Sequence, residues 1–304
     1  MFFHGNAPFG VPVCFYLSKR AGEMMNDKEF DTVISAEKSA FKVDIKELLS
    51  YKYLIFLFVK RDFIAKYKQT VLGPLWAVIQ PFLTTVVFTA VFGNFAQIST
   101  NGVPAFIFYL CSTVIWQFFS SSLNASSSIL ITNSHLLSKV YFPRLVLPVS
   151  AVLSKLISFA IQLVFFLAFF FIYLIKGEIE PNIYIAMTPL LLVHVMALSL
   201  GVGLLISACT IKYRDLVMLI SFAIQLWMYA TPVIYPTDAI AEKWRGLLLL
   251  NPMAPIVETF RYAFLGTSQF YGQYYAISCV STIIILFIGL FVFNKAQKSF
   301  ADTI

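Results

Sequence analysis

Charged residues are scarce in this sequence and are missing from long stretches of it. Asp, Glu, Lys and Arg make up 12% of the 304 residues, whereas 59% are hydrophobic; soluble domains carry roughly 25% charged residues. Four stretches lack charge altogether, at residues 69–138, 181–211, 216–237 and 262–294. A membrane-spanning helix needs about 20 apolar residues, so each gap has room for at least one. The composition therefore predicts an all-α integral membrane protein and excludes a soluble domain.

Catalytic and nucleotide-binding patterns are missing as well. No G-x-x-x-x-G-K-[ST] motif occurs, so no phosphate-cradling loop for ATP is expected in this chain. His4, His135 and His194 are isolated from one another, which argues against a metal or acid–base site; His194 is expected to be a hydrogen-bonded packing residue. Carboxylates do not occur well inside the apolar stretches, which argues against an ion-coupled carrier. We predict a non-enzymatic subunit without metal or cofactor, whose energy source lies in another chain.

The charge-free stretches predict six membrane helices. Their approximate limits are 74–95, 104–126, 145–175, 182–208, 215–234 and 272–293. Lys155 interrupts the third, near one end, where a long side chain can reach the interface. Of the Lys and Arg residues near the spans, ten fall on the side of the termini and four on the other. The positive-inside rule then places both termini in the cytoplasm.

The segment between the fifth and sixth predicted helices does not fit a simple loop. A polar stretch, PTDAIAEKWRG, is followed by LLLLNPMAPIVETFRYAFLG, whose apolar parts are short and interrupted by proline. Neither part is long enough to cross a bilayer. We predict two external re-entrant helices, with a pair of helices lying on the outer surface as the alternative.

A cationic segment precedes the first predicted span. Residues 44–71 predict an amphipathic interface helix, with its charges largely off the apolar face, which is formed by Ile55, Phe56, Val59, Phe63, Ile64 and Tyr67. The alternative is an ordinary basic anchor beside a membrane helix. Residues 1–43 are predicted to be a flexible cytoplasmic extension, and residues 72–304 the transmembrane domain.

Five blocks of sequence are distinctive: RDFIAKYKQTVLGPLW with Pro81, KVYFPR, YRDL, TPVIYP and NPMAPIVETFRYAFLG. Together they resemble the ABC-2 type permeases that export polysaccharides such as O-antigen, capsule and teichoic acid, and the resemblance covers the chain from about residue 44. Three positions depart from it, since the family commonly has arginine where Lys66 stands, serine where Thr70 stands and an acidic residue where Leu145 stands.

The resemblance implies a homodimeric permease of a bacterial inner membrane, driven by two separate ATP-binding subunits that hold ATP and Mg. Its substrate would be a polysaccharide on an undecaprenyl-pyrophosphate-type lipid, with O-antigen favoured, and no nucleic acid is involved. The alternatives are a permease for drugs or small lipids and a membrane-embedded glycan-modifying enzyme.

The resemblance also implies three functional regions. Entry of the lipid pyrophosphate is assigned to Arg61, Lys66, Tyr67, Lys68, Leu72, Gly73 and Trp76. Coupling to the ATPase is assigned to the loop residues Lys139, Tyr141, Phe142, Pro143 and Arg144. The external re-entrant region contains Asn251, Pro252, Glu258 and Arg261. For Arg261, two roles remain open, a buried pair with Glu258 and a contact to the exported glycan or lipid phosphate.

Overall fold

The structure is a computed structural model, which describes residues 4–6, 12–14 and 45–300 except 69, 138, 141, 211, 212, 214 and 268. The chain divides into two compact units, Met1–Val43 and Asp44–Ile304. In the first, strands β1 (His4–Asn6) and β2 (Pro12–Cys14) pair antiparallel, with His4 opposite Cys14. The rest of that unit, and with it most of the predicted flexible extension, lies outside the described residues.

The second unit is helical. Its α-helices are α1 (Ile45–Ser50), α2 (Lys52–Tyr67), α3 (Trp76–Phe88), α4 (Ala105–Thr132), α5 (Ser134–Leu137), α6 (Val146–Ile175), α7 (Thr188–Thr210), α8 (Leu216–Tyr229), α9 (Glu242–Leu249), α10 (Met253–Leu265) and α11 (Gly272–Phe300). Short 3₁₀ turns at Gly73–Leu75, Ile183–Met187 and Thr237–Ala239 and a π-helix at Thr89–Phe95 complete them.

Five helices in the described part of the chain are long and apolar enough to cross a membrane. They are Gly73–Phe95, Ala105–Thr132, Val146–Ile175, Ile183–Thr210 and Gly272–Ala296. Five of the six predicted spans are therefore present with similar limits. The remaining one, predicted at 215–234, is represented by α8, whose 14 residues extend about 21 Å, less than the roughly 30 Å of a hydrocarbon core. It ends just before Thr231 and Pro232, where proline disfavours a helical residue before it and supplies no N–H.

Helix α4 lies at the centre of the unit. Of the apolar part of α4, 78% is buried, against 22% for Gly73–Phe95 and for Gly272–Ala296. Its neighbours are α3, α6, α7 and α10. Serines such as Ser112, Ser122 and Ser126 are fully buried along α4, as expected where polar groups in a membrane helix face protein. The central helix is thus enclosed by protein, while α3 and α11 expose apolar side chains.

Two glycines allow α7 to pack closely between α4 and α11. A Cβ at Gly201 would lie 2.9 Å from Leu286 Cα, and one at Gly203 would overlap the side chain of Ser126. Such close approach is the usual role of small residues in membrane helices. Gly201 and Gly203 therefore serve close helix packing.

Buried side chains on α6 and α7 also serve packing. The rings of Phe166 and Phe170 on α6 lie 5.2 and 5.5 Å from that of Phe264 on α10. His194, buried on α7, has its Nε2 2.9 Å from Thr282 Oγ1 on α11. His194 is therefore a hydrogen-bonded packing residue, as predicted.

The C-terminus of α10 is closed by a distant part of the chain. Gly266 has φ +71°, and a Cβ there would overlap the carbonyl oxygen of Glu180. The backbone N–H of Asn182 donates to Ala263 O (3.1 Å), and its side-chain amide donates to Tyr262 O (2.8 Å). Carbonyls of the last helical turn, which lack partners within the helix, are satisfied in this way.

Candidate functional site

Helix α2 packs against α6 with part of the predicted apolar face. On that face Tyr67 is buried and Ile55, Val59 and Phe63 are half-buried, whereas Phe56 is 67% and Ile64 42% exposed. Phe58, Arg61 and Asp62, which lie off the predicted face, are also buried or half-buried. Apolar residues occur all round this helix, so the packed and the exposed sides both contain some of them.

Arg61 holds α2 to the end of α4. Its guanidinium donates to Asp62 Oδ1 (2.8 and 2.9 Å) and to Oδ1 of the buried Asn133 (3.0 Å). It also lies 4.7 Å from the centre of the Phe58 ring. Nε and Nη2 of the guanidinium are thus engaged by protein.

The predicted coupling loop meets α2 at the same place. Phe142 is buried, and its ring centre lies 5.7 Å from that of Phe58. Pro143 and Arg144 are half-buried and Lys139 is exposed, while Tyr141 lies outside the described residues. The structure therefore packs the predicted coupling loop on α2 through Phe58, whose ring also contacts Arg61 of the predicted entry region.

The C-terminal turn of α2 brings Lys66 and Tyr67 to α6. Tyr67 OH lies 3.2 Å from Ser158 Oγ, and Lys66 Nζ donates to the same oxygen at 3.5 Å. Lys66 and Lys68 remain exposed, so their ammonium groups can reach a ligand outside the bundle. Ser158 was not among the predicted site residues; its position three residues after Lys155, on one face of a membrane helix, is the signal that could have found it.

Beyond Lys68, the chain turns sharply into the first span. Gly73 has φ +51°, and no atom lies within 4 Å of the position a Cβ would take there. Leu72 and Trp76 on either side are 39% and 49% exposed. The positive φ explains the glycine, and the open space leaves the backbone approachable at this turn.

The predicted re-entrant region contains a fully buried ion pair. Arg261 and Glu258 on α10 are 0% and 1% exposed, with Arg261 Nη1 3.1 Å from Glu258 Oε1. Arg261 also donates to Ser112 Oγ (3.2 and 2.7 Å) and to Pro232 O, and its guanidinium lies 4.1 Å from the Phe108 ring centre. Thr237 donates to Glu258 through its backbone N–H and its hydroxyl. Of the two roles left open for Arg261, the structure shows the buried pair with Glu258.

Asn251 and Pro252 stand at the junction between α9 and α10. The Asn251 side chain accepts from Trp227 Nε1 and donates to Ala230 O and Thr231 Oγ1, each at 2.9 Å. Pro252 precedes the first residue of α10. Both residues fix where α10 begins.

A cavity of about 530 Å³ lies beside this junction, lined by Trp227, Ala230, Ile240, Trp244, Leu247, Leu248, Asn251 and Pro252. Its lining is mainly apolar, and the side chain of Asn251 already has the partners given above.

A small hydrogen-bonded group lies near α9. Tyr271 OH donates to Asp238 Oδ1 (3.1 Å), and Arg245 Nη1 lies 3.8 Å from the same oxygen. Burial, with the neighbouring Asp238 carboxylate, raises the pKa of Tyr271 to about 12. The phenol therefore stays neutral and keeps its donor role.

Within the described part of the chain, no group of three His, Cys, Asp or Glu residues is placed to hold a metal ion.

Five long apolar helices, with exposed lysines at one end and a buried ion pair at the other, define a multi-pass membrane protein with its charges kept near the span ends. The chain belongs to the ABC-2 type transporter family, which it matches over residues 53–265. The match confirms the resemblance found in the sequence blocks, and it includes α2, the coupling loop and α10.

Several curated relatives match most of this chain. The O-antigen export system permease protein RfbA of Klebsiella pneumoniae is 28% identical over 262 residues, 86% of this chain and 98% of its own. The protein of the same name from Myxococcus xanthus is 27% identical over 263 residues, with the same shares. The polysialic acid transport protein KpsM of Escherichia coli is 22% identical over 243 residues, 79% of this chain and 92% of its own.

Proposed function

We propose that this protein is the permease subunit of an ABC exporter that moves a lipid-linked polysaccharide, with O-antigen favoured, across a bacterial inner membrane. The observation that carries the proposal is the coverage of the relatives: two proteins named for O-antigen export match over 98% of their own length. A shared motif alone would leave the substrate class open, whereas full-length matches extend over the cationic helix as well as the spans.

In this proposal the permease crosses the membrane six times, with α8 as the fifth crossing. Helix α8 is short, but Thr231, Val233 and Ile234 directly after it are buried and continue the chain into the protein. Six crossings put both termini on one side, and the Lys and Arg distribution makes that side the cytoplasm. Residues 44–71 then lie at the inner surface ahead of the domain 72–304, and α9 and α10 form a re-entrant pair at the outer surface.

The pyrophosphate of the lipid carrier is captured where α2 ends. Lys66 and Lys68 provide exposed ammonium groups, and Tyr67 is fixed by Ser158. Charge-assisted hydrogen bonds to phosphate are stronger than neutral ones. The open backbone at Gly73 lets the lipid pass between α2 and the first span, with Leu72 and Trp76 as the apolar flank.

Energy comes from two ATP-binding subunits docked on a homodimer of this chain, with ATP and Mg held by those subunits. The loop Lys139–Arg144 receives their movement. Because Phe142 is buried against Phe58, a displacement of this loop is passed directly to α2. Contact between the two elements supports this coupling route.

The test is the double variant Lys66→Ala, Lys68→Ala in a bacterium that expresses the chain with its ATPase. We expect surface glycan to be lost while the membrane complex assembles at normal levels, because the two side chains are exposed. The matched control is Lys176→Ala, Lys243→Ala, which removes two exposed lysines from the opposite end. Normal export in the Lys66, Lys68 double variant contradicts the capture of the pyrophosphate at the end of α2, which we call the loading site.

A separate measurement tests whether ATP is hydrolysed by another subunit. The purified permease alone is expected to hydrolyse no ATP above background, and addition of the ATPase subunits should restore hydrolysis. Robust hydrolysis by the permease alone would rule out an energy source in a separate subunit.

A further inference from the structure

We infer that α6 supplies a second wall to the loading site, so that one phosphate-type anion is held between Lys66 of α2 and Lys155 of α6. The inference rests on the proposed function, because it concerns the same site. It adds residues from inside a membrane span, where neither the family resemblance nor the charge count places a ligand-binding group.

Ser158 relates the two lysines, because it contacts Lys66 and lies on the same face of α6 as Lys155. Lys66 Nζ lies 3.5 Å from Ser158 Oγ, and Tyr67 OH lies 3.2 Å from the same atom. Lys155 precedes Ser158 by three residues on α6, and residues three apart on a helix are neighbours on one face. Lys155 is half-buried and interacts electrostatically with both Lys66 and Asp62. Two ammonium groups thus lie at one junction between α2 and α6.

The charges at this junction are unbalanced. Asp62 is the nearby carboxylate, and Arg61 binds it with two hydrogen bonds of 2.8 and 2.9 Å. Among the described residues, Lys155 makes neither a hydrogen bond nor an ion pair within 4.0 Å. Ionisable groups in membrane spans are costly and normally have a partner or a function. An anion placed between Lys66 and Lys155 would relieve the repulsion of both.

A second unsatisfied group lies one turn deeper on α6. Gln162 follows Ser158 by four residues, is 6% exposed, and its Oε1 has no hydrogen-bond partner among the described residues. A buried carbonyl oxygen without a donor is unusual and calls for a ligand or water. Gln162 Oε1 is thus a second group on this part of α6 that lacks a partner among the described residues.

The test measures lipid binding to the permease–ATPase complex in nanodiscs of phosphatidylcholine, with undecaprenyl pyrophosphate as the probe. We expect Lys155→Met to weaken binding about tenfold, the loss expected for one hydrogen bond to a charged group. Lys155→Arg should bind within about threefold of the wild type, because it keeps the charge. Lys176→Met, at the other end of α6, is the control and should bind normally.

Three further readouts separate ligand binding from a purely structural role. Salt should weaken binding less in Lys155→Met than in the wild type, because one charge contact is gone. Thermal stability should stay equal or rise, since a desolvated cation has been removed; a fall in stability, with binding per folded complex unchanged, overturns the inference. Ser158→Ala should weaken binding about threefold, which provides a readout independent of any change in charge.

Separate arms identify the source of the phosphate. Tight binding of undecaprenyl pyrophosphate, but not of inorganic pyrophosphate or phosphatidic acid, supports the site as a headgroup site for the carrier lipid. Equal, Lys155-dependent binding of inorganic pyrophosphate supports the anion site but assigns it to free phosphate. Normal binding in Lys155→Met together with weak binding in Lys66→Met overturns the second wall and leaves the proposed function intact. Normal binding and normal glycan export in Lys66→Met, Lys68→Met overturn the proposed function itself.

Discussion

Helices α2 and α10 both carry charged residues close to α4, but those of α10 are buried and paired, whereas two lysines of α2 are exposed. Helix α10 binds α4 at Ser112 and α2 binds just past its end at Asn133, about 30 Å apart along the helix. In α10 the charged groups are fully buried and bonded to one another, to serine and to backbone. In α2, Arg61 is bonded to protein, whereas Lys66 and Lys68 stay exposed. The same kind of residue therefore holds the fold together at one end and remains available for a ligand at the other.

The largest expected effect comes from breaking the α10 pair. Arg261→Leu leaves Glu258 buried without its cation, which typically costs about 3–5 kcal/mol. We expect a marked fall in the thermal unfolding temperature of the purified protein, with loss of monodispersity on size exclusion. The double variant Glu258→Gln, Arg261→Leu should recover part of the loss, because no lone charge remains. An unchanged unfolding temperature in Arg261→Leu would mean that the pair does not stabilise α10.

The next effect concerns the apolar anchor of α2. Phe58→Ala removes a buried ring that packs on Phe142, a change that typically costs about 3–5 kcal/mol in a closed core and less at an edge. Hydrogen exchange of α2 amides should speed up strongly, while α10 amides stay protected. The matched control is Phe56→Ala, because Phe56 is 67% exposed and its loss should change little. Equal exchange in the two variants would contradict the packed face described here.

A smaller effect distinguishes positioning from binding at Arg61. The side chain is 38% exposed, so solvent screening limits its contribution to about 1 kcal/mol. If Arg61 acts through Asn133, then Arg61→Ala and Asn133→Ala should loosen α2 equally, and the double variant should add nothing. Hydrogen exchange of α2 in the three variants measures this coupling. Additive effects, or lipid binding that falls only in Arg61→Ala, would show that Arg61 contacts the substrate.

The smallest effect is a titration near α9. Tyr271 has a pKa of about 12 in the fold and 10.0 as the ordinary value, so the folded protein holds this proton more tightly. The stabilisation is fully present below pH 10 and is lost as the pH rises towards 12. Ultraviolet absorbance titration of the wild type minus Tyr271→Phe should give the pKa, and Asp238→Asn should lower it. A difference titration centred at the ordinary value in the wild type would show that Asp238 does not act on this phenol.

Sequence reasoning succeeded where the signal is local or dictated by the bilayer. Five spans follow from hydropathy, and the pairing of Glu258 with Arg261 follows from a spacing of three residues. The short length of α8 was missed because the apolar run continues past Tyr229, although Thr231 and Pro232 end the helix.

Contacts between residues far apart along the chain could not be predicted from the sequence. Arg61 meets Asn133 72 residues later, and Lys66 meets Ser158 92 residues later. Asn133 is not marked by spacing or composition, and the spacing of Ser158 from Lys155 does not indicate that α2 is its partner. The contacts that hold α2 to the bundle therefore could not be predicted. The predicted entry residues nevertheless include Lys66 and Tyr67, the two that the structure brings to α6.

The closure of α10 by residues 180–182 has a consequence for how the protein assembles during synthesis. The chain leaves the ribosome from its N-terminus, so Glu180 and Asn182 are synthesised before Tyr262, Ala263 and Gly266. When α10 emerges, the groups that receive its last turn already exist on the connection between α6 and α7. The buried ion pair of α10 can then be enclosed as the helix is inserted, before α11 is complete. Exposure of Glu258 and Arg261 to lipid until a later segment is synthesised is thereby avoided.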